Sequence, residues 1–281
     1  MGSSANTGID YSELHRIDSP ANRALRVDLW RQGDDLGQHS FVTPAYFRAY
    51  AQRLGMGPGT RVLDVGSGTG GPAIYMAEVS GCDMTGLEVN EVGIEVANRL
   101  AANTTVQDRV RFVQADGMQM PFEDASFDIV ISMNVMNVFE DKVGLFREVR
   151  RVLRPGGTWA FLSGTFQLGP EDAAAREHLR RGYLIPQYYD SLEEYKAKLR
   201  AAGFSIDEAL EFIADFWVQV SRWRDAHRKH REVLIEDVGQ DTTDYHIAYF
   251  DTYVSLIEQG KAANHLIVSH RPGGGRTDTP V

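Results

Sequence analysis

The stretch VLDVGSGTGG at residues 62–71 constrains the fold more than any other part of this sequence. An apolar run leads into Gly66, Gly68 and Gly70, and a helix-like segment follows directly. Glycine tolerates positive φ angles and lets a ligand approach the main chain closely. A glycine-rich turn between a strand and a helix also presents backbone N–H groups to a polar ligand. We therefore expect a strand–loop–helix unit that forms one wall of a ligand site.

Strand-like and helix-like segments alternate after this loop. The predicted strands are continuously apolar, which is typical of a parallel sheet covered by helices on both faces. This order predicts a Rossmann-like, doubly wound α/β fold. The predicted strands are 61–66, 83–89, 110–116, 127–133, 157–165, 205–213 and 264–272, and the predicted helices are 43–54, 72–81, 91–104, 142–153, 170–182, 191–204, 216–237 and 242–260.

The pattern changes after residue 165, where polar helices and a tyrosine-rich loop interrupt the alternation. We interpret these parts as a helical cap over the carboxyl edge of the sheet. The predicted organisation is an N-terminal lid segment at 1–42, a ligand-binding core at 43–165, a cap at 166–190 and 214–260, remaining core elements at 191–213 and 261–272, and a disordered tail at 273–281.

Composition excludes several function classes. The formal net charge is −10, whereas nonspecific nucleic-acid binding needs a basic face. No apolar run approaches the roughly 20 residues of a membrane-spanning helix. Cys82 is the single cysteine, so internal disulfides and cysteine metal clusters are excluded. We expect a small-molecule partner, no nucleic acid, no membrane and no bound metal, and the sequence leaves homo-oligomerisation open.

The amino-terminal residues MGSSANTGIDYSELHRID contain neither a basic region nor an apolar one. They therefore lack the pattern of a secretory signal. Together with the cysteine content, this predicts a cytoplasmic protein.

Three acidic residues give the glycine loop its chemistry. Asp64 lies two residues before Gly66, where a carboxylate suits a ligand that carries positive charge better than an anionic dinucleotide. Glu88 ends the next predicted strand, 22 residues after Gly66, where an acid can accept hydrogen bonds from both ribose hydroxyls. Asp116 ends the third strand and could accept from an adenine amino group, with Met118 packed on the purine face.

This pattern resembles the class I S-adenosylmethionine-dependent methyltransferases across residues 58–165. VLDVGSGTGG resembles their first motif, LEV their second, ADGMQMPF their third, SFDIVISM their fourth and LRPGG their fifth. The resemblance implies a seven-stranded sheet with an antiparallel last strand, here HLIVSH, and S-adenosyl-L-methionine as cofactor. The cofactor-binding residues it implies are Asp64, Gly66, Gly68, Gly70, Glu88, Asp116, Gly117, Met118 and Met133.

The chain most resembles the small-molecule branch of that family, which includes enzymes that methylate sugars, sarcosine-like amines, quinone precursors and antibiotics. Many members carry a His-His pair just after the fourth strand. Here those positions are Asn137 and Val138. The resemblance therefore assigns no general base.

The stretch ISMNVMNV at residues 131–138 places two amides at the carboxyl end of the fourth predicted strand. Ligands of doubly wound folds lie outside the carboxyl ends of the strands. We expect Asn134 to contact the donor's amino-acid part or the acceptor. Asn137 either faces the acceptor pocket or caps the next turn. Neither amide is a base at neutral pH, so this stretch favours catalysis by placement.

Two residues of the amino-terminal segment are further catalytic candidates. His39, in DLGQHSFVT, lies where related enzymes place a segment that folds across the donor. The alternative is a solvated histidine in a capped loop. Tyr11 lies on a possible lid, and its alternative is a packing tyrosine.

A cluster of tyrosines falls in the two predicted cap segments. Tyr245, Tyr249 and Tyr253 recur at a spacing of four and so share one helical face. Together with Tyr183, they form either an aromatic core or a pocket for an amine or a sugar. The acceptor-pocket residues predicted are Asn137, Tyr183, Tyr245 and Tyr249, and Trp217 and Trp223 are possible members of the same wall.

The function predicted is methyl transfer from S-adenosylmethionine to a small molecule. An amine in secondary metabolism is favoured because no Asp-His or Lys base is evident, and an amine that loses its proton to solvent needs none. O- or C-methylation is the first alternative. A non-methylating cyclase that binds the donor structurally is the second, and a pure binding module is disfavoured by the aromatic cap.

Overall fold

The computed structural model describes residues 16–31, 33–38, 40–183, 185–211 and 213–273. Its centre is a seven-stranded sheet in the order β3-β2-β1-β4-β5-β7-β6. Strands β1 to β5 are parallel, and β7 runs antiparallel to both of its neighbours, β5 and β6. The predicted doubly wound fold with an antiparallel last strand is therefore confirmed.

The elements follow the predicted alternation closely, and 3₁₀ turns lie at Met136–Val138 and Pro170–Asp172. The strands are β1 Arg61–Val65, β2 Asp83–Glu88, β3 Val110–Gln114, β4 Phe127–Met133, β5 Leu153–Phe166, β6 Ser205–Glu211 and β7 Ala262–His270. The helices are α1 Pro20–Leu29, α2 Pro44–Arg53, α3 Gly71–Ser80, α4 Glu91–Ala101, α5 Lys142–Val152, α6 Ala173–Arg181, α7 Leu192–Ala201, α8 Ile213–Lys229, α9 Arg231–Val238 and α10 Gln240–Glu258.

The continuously apolar strands bury both faces of the sheet. Val62 and Leu63 are adjacent in β1 and fully buried, yet they belong to two different cores. Successive side chains of a strand point to opposite faces, so β1 contributes to both layers of helices. One core contains Phe47 of α2, and the other contains Phe146 of α5. Because helices cover both faces, a ligand site has to lie at an edge of the sheet. In doubly wound folds it lies at the carboxyl ends of the strands.

One predicted helix is wrong in its length. The segment predicted as a single helix at 216–237 forms two helices, α8 and α9, separated at His230. The backbone of His230 departs from helical angles, with φ −100° and ψ 22°. Its Nε2 lies 2.5 Å from a carboxylate oxygen of Asp28, and Lys229 contacts the other oxygen of Asp28 at 2.8 Å. This tertiary contact to α1 holds the break in place.

Helix α1 is a helix that the sequence analysis did not predict. Ser19 caps its N-terminus by accepting a hydrogen bond from the N–H group of Asn22, and Pro20 occupies the first turn. Ala21, Leu25 and Leu29 recur at a spacing of four and are buried. These are ordinary helix-start and amphipathic signals. The predicted lid segment at 1–42 thus contains an ordered helix.

The helices outside the sheet layers share a third core. Leu25 of α1, Trp223 of α8 and Phe250 of α10 all belong to it. Phe166, at the end of β5, joins the same cluster and links it to the sheet. Helices α1, α8 and α10 therefore form a layer beside the carboxyl edge, which includes α1 in addition to segments predicted as cap.

Phe161 is a sensitive point for stability. Its ring is fully buried in β5 and lies 5.6 Å from the ring of Phe146 and 5.4 Å from that of Tyr195, measured between centroids. We expect Phe161→Ala to lower the free energy of unfolding by about 3–5 kcal/mol because it opens a cavity. Urea denaturation measures this change. Val27→Ala, at a side chain that is 77% exposed, is the control and should stay within about 0.5 kcal/mol.

Candidate active site

A cavity of about 620 Å³ lies at the carboxyl edge of β1, β2 and β4. This volume is within the roughly 300–1,000 Å³ of small-molecule sites. The glycine loop after β1 forms one side, and the aromatic side chains of the cap form the other. Strand β1 pairs with β2 on one side and with β4 on the other, so the loops that follow these strands diverge around the cavity. Ligands of doubly wound sheets bind at such a switch point.

The glycine loop has the tight geometry that its sequence predicts. Gly66, Gly68 and Gly70 have φ angles of 77°, 55° and 80°, which side-chain-bearing residues rarely adopt. The N–H groups of Gly66 and Ser67 both donate to the carbonyl oxygen of Leu87, at 2.8 and 3.0 Å. These bonds hold the loop against the end of β2. A Cβ on Gly66 would also lie 2.7 Å from a methyl group of Val135.

Of the three predicted loop glycines, Gly66 and Gly68 line the cavity and Gly70 does not. Gly70 is instead the N-cap of α3, where a Cβ would lie 2.5 Å from the ring of Phe112. Its positive φ angle and close packing therefore serve the loop's shape. The proposed cofactor contact at Gly70 is not supported by the cavity's lining.

Asp64 brings an unusual buried charge to the wall. The residue is 3% exposed, and its Oδ1 accepts no hydrogen bond from any described residue. Burial, reinforced by the negative charge of Glu88, raises the pKa of Asp64 to about 7. A cation bound beside it would favour the ionised carboxylate. The position of Asp64 in the sequence predicts a positively charged ligand, and the buried carboxylate fits that chemistry.

Glu88 and Asp116 both line the cavity. The carboxylate of Glu88 accepts hydrogen bonds from the N–H groups of Gly68, at 3.0 Å, and Asn90, at 2.9 Å. Asp116 accepts one from the N–H group of Met118 at 2.8 Å. These bonds orient both carboxylates, and a carboxylate can accept further bonds. Gly117, Met118 and Met133, which were also predicted as cofactor residues, line the cavity too.

The two amides after β4 have different surroundings. Asn134 is in the left-handed region, with a φ of 59°, and its N–H group continues the ladder by donating to Leu162 at 2.8 Å. Its Nδ2 is buried at the cavity wall and donates to no described residue. Asn137 also lines the cavity, whereas the following helix, α5, is capped by Asp141. Of the two roles considered for Asn137, its position favours the acceptor pocket.

Aromatic side chains of the cap form the opposite wall. Tyr183 and Tyr249, two of the residues predicted for the acceptor pocket, line the cavity together with Tyr253. The hydroxyl of Tyr249 lies 2.5 Å from that of Tyr189. A Cβ on Gly164 would come 2.5 Å from the hydroxyl oxygen of Tyr253, so this glycine makes room for the phenol.

Two aromatic residues that were considered for this wall lie elsewhere. Tyr245 does not line the cavity, because its hydroxyl donates to the carbonyl oxygen of His178 at 2.9 Å. A spacing of four residues turns a helix by about 400°, so the three tyrosines of α10 drift around its surface. Trp217 is 40% exposed on α8, whereas Trp223 lines the cavity.

A tyrosine–histidine pair behind this wall was missed by the sequence analysis. The hydroxyl of Tyr183 lies 2.8 Å from Nε2 of His227, and Nδ1 of His227 lies 2.7 Å from the carbonyl oxygen of Trp223. A carbonyl only accepts, so Nδ1 carries the proton and Nε2 accepts from Tyr183. Burial lowers the pKa of His227 to about 4. His227 lies among charged residues in the sequence, and only the fold shows its burial.

The charge of the lining is one-sided. The described lining residues include Asp64, Glu88, Asp116, Glu140 and Asp141, and none of them is lysine, arginine or histidine. An anionic ligand would meet repulsion without a compensating cation. Aromatic faces and carboxylates suit a neutral or cationic ligand instead.

The two amino-terminal candidates, His39 and Tyr11, lie outside the described residues. The neighbours of His39, Gln38 and Ser40, do line the cavity. The side-chain amide of Gln38 donates to the carbonyl oxygens of Asp34 and Val42, at 3.0 and 3.2 Å. The catalytic roles of His39 and Tyr11 therefore remain predictions.

Among the described residues, no group of three histidine, cysteine, aspartate or glutamate side chains has the arrangement of a metal site. Within the same ranges, no helix has the length and apolar character needed to cross a membrane.

Comparisons with known proteins agree with this geometry. The family described as a methyltransferase domain matches residues 63–161. The chain is 37% identical over 177 residues to 27-O-demethylrifamycin SV methyltransferase of Amycolatopsis mediterranei, covering 61% of this chain and 64% of that protein. It is 34% identical over 228 residues to sterol 24-C-methyltransferase of Schizosaccharomyces pombe, covering 70% and 60%. The chain thus spans about three-fifths of the length of these relatives.

Solved structures share the fold. A mycolic acid cyclopropane synthase, in complex with S-adenosylhomocysteine, superposes with a TM-score of 0.79 at 16% identity, covering 93% of this chain and 99% of that one. At this identity, the similarity shows the fold alone.

The pKa of Asp64 gives a testable pH dependence. A carboxyl whose pKa rises on folding from 3.8 to about 7 contributes stability at low pH that is lost as the pH rises between those values. We expect Asp64→Asn to unfold at a higher temperature than the wild type at pH 8 and to bind S-adenosylmethionine at least about tenfold more weakly. The affinity of the wild type for S-adenosylmethionine should decrease as the pH is lowered below 7. Scanning calorimetry measures the unfolding temperatures, and titration calorimetry measures the affinities. Equal affinity of the two proteins for the donor would contradict the role assigned to Asp64.

Proposed function

We propose that this chain, which carries a methyltransferase domain, is a class I S-adenosylmethionine-dependent methyltransferase that methylates a small molecule. The observation that carries the proposal is the buried carboxylate of Asp64, whose Oδ1 accepts no hydrogen bond from any described residue, in the same cavity as the glycine loop and the aromatic wall. A cationic methyl donor would compensate that charge.

The residues that would hold the donor are those of the carboxyl edge. Asp64 supports positive charge, Glu88 offers acceptors for ribose hydroxyls, and Asp116 offers an acceptor for the purine. Asn134 lines the cavity, and its buried amide Nδ2 donates to no described residue, so this donor fits a carboxylate or a carbonyl of a ligand. When bound, the donor's sulfonium supplies a methyl group that is already activated. The chain's task is therefore to place the acceptor and to exclude water.

The cap supplies the means of placement. Tyr183, Tyr249, Trp223 and Phe250 present aromatic surface to the same cavity. Such a wall removes water from an apolar acceptor and leaves phenol groups for its polar atoms. The carboxylates of Glu140 and Asp141 also line the cavity. An aromatic or aliphatic amine fits this combination, and an amine is our preferred acceptor.

A hydroxyl acceptor is the second candidate, and a specific observation favours it. The Tyr183–His227 pair offers a path for a proton: the phenol oxygen can accept an acceptor's O–H proton while the phenol proton passes to Nε2 of His227. With a pKa of about 4, His227 would hold that proton only during the transfer and would then return it to the phenol, which releases it to water in the cavity when the methylated product leaves. The similarity to 27-O-demethylrifamycin SV methyltransferase agrees with this candidate.

Matched acceptors separate the two candidates. Labelled S-adenosylmethionine would be incubated with pairs of aromatic amines and alcohols, such as tryptamine and tryptophol. We expect label on nitrogen, together with one S-adenosylhomocysteine per methyl group transferred. Label found only on oxygen would reject the amine preference. Turnover of an acceptor without S-adenosylhomocysteine would reject methyl transfer itself.

Variants of the pair test the relay. Tyr183→Phe removes the hydroxyl, and His227→Gln keeps an acceptor for it but takes up no proton. With a hydroxyl acceptor, each should lower kcat by about 10²-fold or more while donor affinity is unchanged. With an amine, the loss should be small.

Tyr245→Phe is the matched control for these variants, because the hydroxyl of Tyr245 lies outside the cavity lining and donates to the carbonyl oxygen of His178. It should leave kcat unchanged. Wild-type activity of His227→Gln on a hydroxyl acceptor would show that the pair is structural.

A further inference from the structure

Lys142 is a buried cation that neither donor binding nor proton transfer uses. It is the first residue of α5 and is 1% exposed. Its Nζ donates to the carbonyl oxygen of Tyr188 at 2.6 Å and lies 3.3 Å from a carboxylate oxygen of Asp190. The ammonium group also lies 5.6 Å from the ring centre of Tyr195. Lys142 itself is not among the residues that line the cavity.

This position is unfavourable for a lysine by itself. A helix N-terminus carries partial positive charge, so a cation at the first position of α5 is repelled. Burial of an ammonium group costs further free energy, and an apolar side chain of similar volume is often no worse for stability. Burial lowers the pKa of Lys142 to about 8 even though Asp190 attracts its charge. The contacts of Lys142 therefore indicate a role other than stabilising the helix.

The segment that Lys142 contacts, residues 187–190, forms part of the acceptor side of the cavity. Gln187, Tyr188 and Tyr189 all line the cavity. The segment has no regular secondary structure of its own. Its position therefore depends on individual bonds to neighbouring elements. Lys142 makes two of these contacts, with the carbonyl oxygen of Tyr188 and with the carboxylate of Asp190.

Backbone bonds tie the same segment to the ends of two strands. The N–H group of Tyr188 donates to the carbonyl oxygen of Asn137 at 2.6 Å, directly after β4. The N–H group of Phe166, at the end of β5, donates to the carbonyl oxygen of Asp190 at 3.0 Å. Lys142 contacts the same two residues of the segment, Tyr188 and Asp190. The carboxylate of Asp190 also contacts Lys198 of α7 at 2.6 Å.

We propose that Lys142 is a positioning residue whose ammonium group holds residues 187–190 against the end of β4 and so fixes the acceptor wall. The proposal rests on the proposed methyl transfer for its catalytic consequence, whereas the holding contact is independent of it. Tyr189 links this segment to the aromatic wall of the cavity. Its ring centroid lies 4.2 Å from that of Phe166, and its hydroxyl contacts the hydroxyl of Tyr249.

Lys142→Met tests the proposal because methionine fills a similar volume without charge or donors. We expect the amides of Tyr188 and Phe166 to exchange hydrogen at least about tenfold faster in this variant. We also expect kcat/KM for the tryptamine probe to fall about 10–100-fold, mainly through KM, because displaced walls misplace the acceptor. Calorimetric affinity for S-adenosylhomocysteine should stay within about twofold.

Lys196→Met is the matched control. Lys196 lies on α7 and pairs with Glu193 at 2.8 Å, three residues earlier on the same helix. It should change neither the exchange rates nor the kinetics. If Lys142→Met fails to fold, Lys142→Gln replaces it, since glutamine keeps an N–H donor without the charge.

A pH profile separates positioning from simple packing. The charged groups that face Lys142 are Asp190, Lys198 and Glu194, and Tyr195 also packs against it. As the pH rises through about 8, Lys142 loses its charge and its attraction to Asp190. The wild-type KM should then approach that of Lys142→Gln. The ratio of the two values cancels the titration of the probe itself.

The outcomes are distinguishable. Unchanged amide exchange in the Lys142 variants would overturn the holding role. Faster exchange with an unchanged KM would overturn its effect on the acceptor wall. If the wild type methylates none of the probes, the proposed function loses its support, and exchange at Tyr188 still decides whether Lys142 holds the segment.

Discussion

The site depends on one constraint, which is that the loops following β1 and its two neighbouring strands diverge from one another. Strand β1 lies between β2 and β4, and the loops that follow these strands separate at the carboxyl edge. The glycine loop can turn there only because Gly66 adopts a positive φ angle and Val135 packs where a side chain would lie. This crevice collects Asp64, Glu88 and Asn134 from three strand ends. The polar chemistry at the sheet side of the site follows from that convergence.

The cavity joins two environments of different character. The sheet edge is acidic. Burial and the negative charge of Glu88 raise the pKa of its Asp64 carboxyl to about 7. The cap side is aromatic, and its polar atoms are mainly phenols. A cationic donor suits the first environment, and an apolar acceptor with few polar atoms suits the second. The buried charge of Lys142 lies behind the aromatic side, where it orders a segment without entering the cavity.

Sequence reasoning predicted the sheet better than the cap. The strands were evident because continuous apolar runs and glycine turns are local signals, and Asp64, Glu88 and Asp116 follow from their distance to those turns. The cap was less readable. Helix α1 carried recognisable signals, Ser19 and Pro20 followed by apolar residues at a spacing of four, yet it was not predicted. The break at His230 depends on Asp28, which lies about 200 residues earlier in the chain.

The sequence by itself determined the doubly wound core and the residues at its carboxyl edge, because strand and helix periodicity and glycine turns are encoded locally. Only the tertiary structure decided which tyrosines of the cap face the cavity, that His227 is buried beneath Tyr183, and that Lys142 contacts residues 188 and 190. These relations join segments about 44–46 residues apart or more. Local propensity carries no information about such pairs, since packing of whole helices brings them together.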